Sequence, residues 1–168
     1  MRPWVRSEYA PELAVVSAWL AVLIPWNVTL SRLSEVGTVL FVRFPLFQVR
    51  YTFGISFAEG TLLLDAYSAF RYQRGASIQD AYAVWLLGAA LVLLALALSV
   101  AMYVALDRVD DLLGRPVGVM GALLLGAGLV HAAATVLLVT RGFPGIPLPV
   151  GVVFEVGLGA VLVGARRV

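Results

Sequence analysis

Residues 81–106 read AYAVWLLGAALVLLALALSVAMYVAL, a run without a single charge. A hydrocarbon core of about 30 Å needs roughly 20 helical residues, so this run is long enough to cross once. A membrane barrel strand would alternate every second residue, and Leu86-Leu87-Gly88-Ala89-Ala90-Leu91-Val92-Leu93-Leu94 shows no alternation. Three more runs read the same way. Leu13 to Ser31 is uncharged, Pro116 to Thr140 carries only His131, and Gly142 to Ala165 carries only Glu155. The expected fold is all-α and transmembrane: a four-helix membrane bundle with spans at about 11–31, 79–106, 116–140 and 148–165, forming one integral membrane domain over 1–168.

Composition agrees with that expectation. Of 168 residues, 61% are hydrophobic and 13% charged, with a mean hydropathy of +0.95. Soluble domains carry about 45–50% apolar and about 25% charged residues, and a globule this small has too little interior to hide the excess. A secreted disulfide scaffold, a disordered tail and a soluble enzyme are thereby excluded, and an integral membrane protein is indicated. The chain has no Cys, which removes disulfides, thiolate chemistry, Cys-bound zinc and iron–sulfur clusters. One His leaves no histidine cluster for a metal, so no cofactor is expected. All 12 basic residues are Arg, and the formal charge of +2 is too small to imply nucleic-acid binding.

Start and stop signals refine the ends. Pro11 suits the first turn of helix 1, Pro25 ends or kinks it, and Trp26 fits the headgroup level. Arg2 and Arg6 precede an apolar segment as in a secretory signal. Glu8, Glu12 and the poor cleavage context of Pro25-Trp26-Asn27 argue instead for an uncleaved anchor. Ser77 and Asp80 read as a capping-box-like start for helix 2. Asp107 to Arg115 reads as a polar connection, and Pro144, Pro147 and Pro149 delay helix 4 to about Leu148.

The interfacial insertion 32–78 is different in pattern. Phe47, Val49, Tyr51 and Phe53 alternate with Gln48, Arg50 and Thr52, which predicts a half-buried strand. Thr38 to Phe44 is also β-prone, so a small interfacial β-hairpin is expected, followed by an amphipathic helix over Thr61 to Arg74. A hairpin is barely stable alone and must rest on the bundle end or the bilayer interface. Arginines near span ends favour, by six to five, a cell-membrane protein with both termini cytoplasmic.

Few residues carry chemistry. Glu155 is costly in a span, at about 2.5–3.5 kcal/mol or more unless it protonates or finds a partner. Gly151 and Gly159 flank it at i±4, the pattern of a helix face in close contact. His131 lies at a matching depth on helix 3, so antiparallel neighbours would bring the two together. One reading is a proton-sensitive intramembrane pair. The plainer one is a protonated or snorkelling Glu155, with His131 bonded to backbone or Thr135. The plainer reading is preferred, because relays need a chain of ionisable groups and a water path. Gly114, Gly118, Ala122 and Gly126 form a small-residue ridge that serves either packing within the monomer or a homo-oligomer contact. Arg43, Arg50 and Tyr51 mark the hairpin face. Their setting among Phe41, Phe44, Phe47 and Phe53 superficially matches a nucleic-acid platform, which two strands beside a membrane do not make. Asn27-Val28-Thr29 fits a glycosylation pattern too close to the span to be used. No Gly-x-Ser-x-Gly elbow, His-Glu-x-x-His pair or phosphate-binding Gly-Lys-Ser/Thr loop occurs.

Two segments carry a resemblance: Trp4-Val5-Arg6-Ser7-Glu8-Tyr9-Ala10 running through Leu23-Ile24-Pro25-Trp26-Asn27-Val28-Thr29, and Leu40-Phe41-Val42-Arg43-Phe44-Pro45 with Gln48-Val49-Arg50-Tyr51. Together they resemble a family of uncharacterised haloarchaeal multi-pass membrane proteins, which suits a lysine-free chain. The resemblance covers about the first third and implies no activity, cofactor or catalytic residue. The expected role is a non-enzymatic accessory or interaction protein, with the lipid bilayer, a second copy or another membrane protein as partner. The alternative is a small proton-coupled transporter or sensor using Glu155 and His131.

Overall fold

Pro25 decides the first departure from that expectation. The residue before a proline is pushed out of the helical region, and Ile24 is extended (φ −90°, ψ 123°). The first helix, α1 (Ala10–Leu23), therefore ends there. The polypeptide continues as a strand, β1 (Asn27–Leu33), through residues counted above as membrane-spanning helix. A computed structural model describes residues 9–33, 37–54 and 60–165. The arginine tally used for orientation includes Arg2, Arg6, Arg166 and Arg167, which lie outside them.

Four further strands follow: β2 (Gly37–Arg43), β3 (Phe47–Phe53), β4 (Thr61–Asp65) and, much later, β5 (Ile146–Leu148). They form one antiparallel sheet in the order β4-β3-β2-β1-β5. The remaining helices are α2 (Ala66–Tyr72), α3 (Gln79–Leu113), α4 (Pro116–Thr140) and α5 (Val150–Gly164). Among the described residues, five helices and a five-stranded sheet thus replace the expected all-α four-helix membrane bundle. Only α3 and α4 among the described residues are long and apolar enough to cross a membrane, by length and composition. At about 1.5 Å per residue the 14 residues of α1 and the 15 of α5 reach only some 21 and 22 Å. Absence of charge favours helix over residues 13–31, yet Asn27-Val28-Thr29-Leu30-Ser31 alternates with period two and forms a strand, whereas the prolines at 144, 147 and 149 do hold back α5, to Val150.

The insertion differs likewise. The strands expected around 38–44 and 47–53 form, but Thr61–Asp65 is a strand and only Ala66–Tyr72 is helical. Asp65 caps that helix, accepting from the Ser68 amide at 2.9 Å. Hydrogen bonds from Ser68 hold its carboxyl below the ordinary 3.8. Asp65→Ala should loosen α2 by about 1 kcal/mol at neutral pH. The cap contribution is complete above the unfolded value of 3.8 and fades as pH falls through the lower folded one. Melting curves of both proteins should therefore differ at pH 7 and draw together as the pH is lowered below 3.8.

The segment expected as a polar loop after 106 stays helical to Leu113, with a break at Ala105 (φ −150°, ψ 55°). Gly114 ends α3 in the left-handed conformation (φ 65°), which only glycine adopts without strain. Ser77 and Asp80 make no capping box. Ser77 Oγ donates to the Arg141 carbonyl and Asp80 pairs with Arg141 at 2.9 Å, so both tie the start of α3 to the end of α4.

Helices pack through small residues. Ala14, Ser17, Ala18 and Ala21 are the buried face of α1, set against Ala95, Met102 and Leu124. The sheet stands at the end of the bundle where α1 stops, α3 begins, α4 stops and α5 begins. Trp85 Nε1 donates to the Pro45 carbonyl there, at 2.8 Å.

Candidate functional site

Cross-strand partners share a face of a sheet, so the registers give each face its composition. One row set contains Asn27, Arg43 and Gln48, with Thr29, Phe41 and Arg50 beyond it. The other contains Leu148, Val28, Val42, Val49 and Leu63, with Ile146, Leu30, Leu40 and Tyr51 beyond. Asn27, Thr29, Ser31, Arg43 and Gln48 are buried, whereas Leu30, Leu63, Ile146 and Leu148 are exposed. The sheet is inverted relative to a soluble one: its polar side faces the helices and its apolar side faces out.

Arg43 organises the buried side. Its Nη1 donates to Asn27 Oδ1 at 2.8 Å and Thr29 Oγ1 at 2.9 Å, and Nη2 donates to the Tyr82 hydroxyl at 3.2 Å. That hydroxyl donates to Gln48 Oε1 at 3.1 Å. The guanidinium also lies 4.4 Å from the Phe143 ring centre and 5.0 Å from that of Phe41. Burial pushes the guanidinium below its ordinary value, and the Tyr82 oxygen opposes that shift. Hydrogen bonds to neutral oxygens and ring faces thus take the place of a carboxylate. Arg43→Lys keeps the charge but loses the fork that reaches Asn27, Thr29 and Tyr82 together. It should lower stability by about 2 kcal/mol in a denaturant titration.

A second buried group lies below. His131 Nδ1 and Glu155 Oε2 share a hydrogen bond of 2.7 Å, with side chains 0% and 2% exposed. The imidazole stacks on Trp26 at 5.0 Å and 11°, and its Nε2 faces the bare backbone of Gly88, where a Cβ would strike it. Thr135 Oγ1 donates to the His131 carbonyl. His131 Nε2 and Glu155 Oε1 have no hydrogen-bond partner among the described residues. Trp26, expected at the headgroup level, is instead buried between this pair and Trp85, 5.8 Å away.

The other singled-out residues are dispersed. Arg43 and Arg50 face inward and Tyr51 outward, as adjacent strand positions must, so they form no common face. Arg50 lies 5.9 Å from the Tyr72 ring centre. Gly114 caps α3 rather than belonging to a ridge on α4. Gly118 sits beside Arg115, Ala122 is exposed, and Gly126 faces Leu91. The close seam is one position away: Gly121 meets Gly159 and Val163, and Gly128 meets Glu155 and Val156. Asn27, Thr29, Gln48, Tyr82 and Trp85 were missed as partners. Their one sequence signal is the polar alternation Asn27, Thr29, Ser31, hidden because that run had been assigned to a span.

The family described as a "Family of unknown function (DUF7549)" matches residues 3–167. The chain belongs to DUF7549. The match takes in both segments of the resemblance and extends through α4 and α5 as well. No curated protein matches it.

Proposed function

We propose that this DUF7549 chain is a non-catalytic, membrane-integral interaction protein anchored by α3 and α4. The observation that carries this reading is the exposure of the two long helices. Only 33% of the most apolar stretch of α3 and 39% of that of α4 is buried, whereas a core helix of a soluble protein would be mostly covered. Leu87, Leu93, Leu94 and Val100 on α3 and Leu129, Val136 and Val139 on α4 point away from the bundle. The antiparallel pair would cross twice, with both termini on the cytoplasmic side. The lysine-free composition supports a haloarchaeal source. The non-catalytic part is supported by closure of the polar cluster. Trp26, Arg43, Ala81, Tyr82, Trp85 and Leu138 leave no room for a water molecule between them, so no substrate reaches the guanidinium.

The test is extraction. Membranes from expressing cells, washed with alkaline carbonate, should retain the protein, and detergent should release it. Release by carbonate alone would end the membrane reading.

A second reading, a proton-responsive transporter or sensor, is favoured by the 2.7 Å contact of His131 and Glu155. Proton flux into liposomes carrying Glu155→Gln decides it. The proton-responsive reading requires a flux with the unaltered protein that this change abolishes, and it falls if the two proteins give the same trace.

A further inference from the structure

The inverted sheet and the short helices point to one arrangement, which rests on the membrane reading above. At about 21–22 Å, α1 and α5 fall short of a hydrocarbon core of about 30 Å. Both are continued by sheet: α1 leads through Pro25 into β1, and β5 leads through Pro149 into α5. These two strands pair, with Val28 opposite Leu148. Trp26 reaches His131 on α4 and Trp85 on α3, and Gly151 packs on the backbone of Pro25 and Trp26. The start of the sheet therefore stands beside α3 and α4, where further turns of α1 and α5 would otherwise stand. Three residues of strand, at about 3.3 Å each, supply the missing length.

We propose that the outward sheet face, carrying Leu30, Leu40, Val42, Val49, Leu63 and Leu148, is a lipid-contacting surface. It is seated in the headgroup–acyl boundary of the bilayer that α3 and α4 cross. Three observations select lipid as the occupant. The face continues the exposed apolar surface of the flanking helices, from Leu23 on one side and from Val150 and Val153 on the other. Its margin carries the exposed aromatics of an interface: Tyr51 and Phe53 on β3, and Tyr67 on α2 with Arg71 over its ring. The area is the third. Five strands about 4.8 Å apart and three to seven residues long give a footprint of roughly 450 Å², below the 800 Å² or so per partner of a stable protein interface. The free edge of β4 is compatible with this depth, because the headgroup layer, unlike the hydrocarbon core, offers hydrogen-bond partners.

The absence of native Cys allows single spin labels at Leu63→Cys, Leu148→Cys, Leu94→Cys on α3 and Arg74→Cys after α2, in phosphatidylcholine nanodiscs. Collision with a water-soluble nickel chelate should be about fivefold lower at 63 and 148 than at 74, with oxygen collision raised, as for a face sunk some 5–10 Å into the boundary. High nickel access at 63 and 148 with protection at 94 overturns the proposal and leaves the membrane reading standing. High nickel access at 94 overturns both. Low access to nickel and oxygen alike at 63 and 148, with a doubled particle mass, assigns the face to a second copy and also overturns it.

Discussion

Gly159→Ala should lower the stability of the protein by about 3 kcal/mol, near the upper end for forcing one methyl group into a packed interior. A Cβ at 159 would lie 2.5 Å from the Leu125 amide nitrogen and 2.8 Å from its Cα. Backbone cannot swing aside as a side-chain tip can, so α4 and α5 must separate along their length. Gly121→Ala should act similarly, since its Cβ would meet the Val163 nitrogen at 2.6 Å. Two controls define the seam. Gly157 has nothing within 4 Å of a Cβ, so Gly157→Ala should be neutral or gain up to about 1 kcal/mol of helix propensity. Gly118→Ala meets nothing closer than 3.7 Å and should melt like the unaltered protein. Thermal unfolding in one detergent, followed by circular dichroism, orders the four. Equal midpoints for Gly159→Ala and Gly157→Ala would show that the two helix backbones are not in contact.

That seam shows where the sequence was readable and where it was not. Long uncharged runs around 81–104 and 116–140 place α3 and α4 well, because helix in such runs is dictated by composition alone. The same criterion misassigned 27–31, where polarity alternates and backbone preference outweighs hydrophobicity, whereas the prolines at 144, 147 and 149 marked the non-helical connection before α5. Spacing of four along α4 marked Gly118, Ala122 and Gly126, but a second stripe, Gly121 and Gly128, lies seven apart on the neighbouring face. Periodicity alone does not say which stripe meets a partner. Arg43 was legible as an aromatic-flanked arginine, but its burial depends on Asn27, Thr29 and Tyr82, which register and tertiary packing bring together.

The pair inside the helices gives the other large effect. His131→Leu should cost about 3–5 kcal/mol, the range for stranding one member of a buried ion pair. We place it near the lower end, about 3 kcal/mol. Glu155→Leu should be similar, stranding His131 Nδ1 beneath Trp26. The double variant His131→Leu with Glu155→Leu should then lose less than either single one, since it leaves an apolar site with no orphaned partner. Interhelical hydrogen bonds in a membrane protein couple by only about 0.6 kcal/mol on average, with a maximum near 1.7. A larger value is expected here because the side chains are 0% and 2% exposed, Gly88 and Trp26 close on the imidazole, and Gly128 packs on the Glu155 Cβ. Glu155→Gln, which keeps the shape and one hydrogen bond, should lose only about 1 kcal/mol. Reversible unfolding of the four proteins in mixed detergent gives the coupling directly. Additive losses in the double variant would mean that His131 and Glu155 are stabilised separately, each by its own surroundings, and that the 2.7 Å contact contributes nothing to holding α4 against α5.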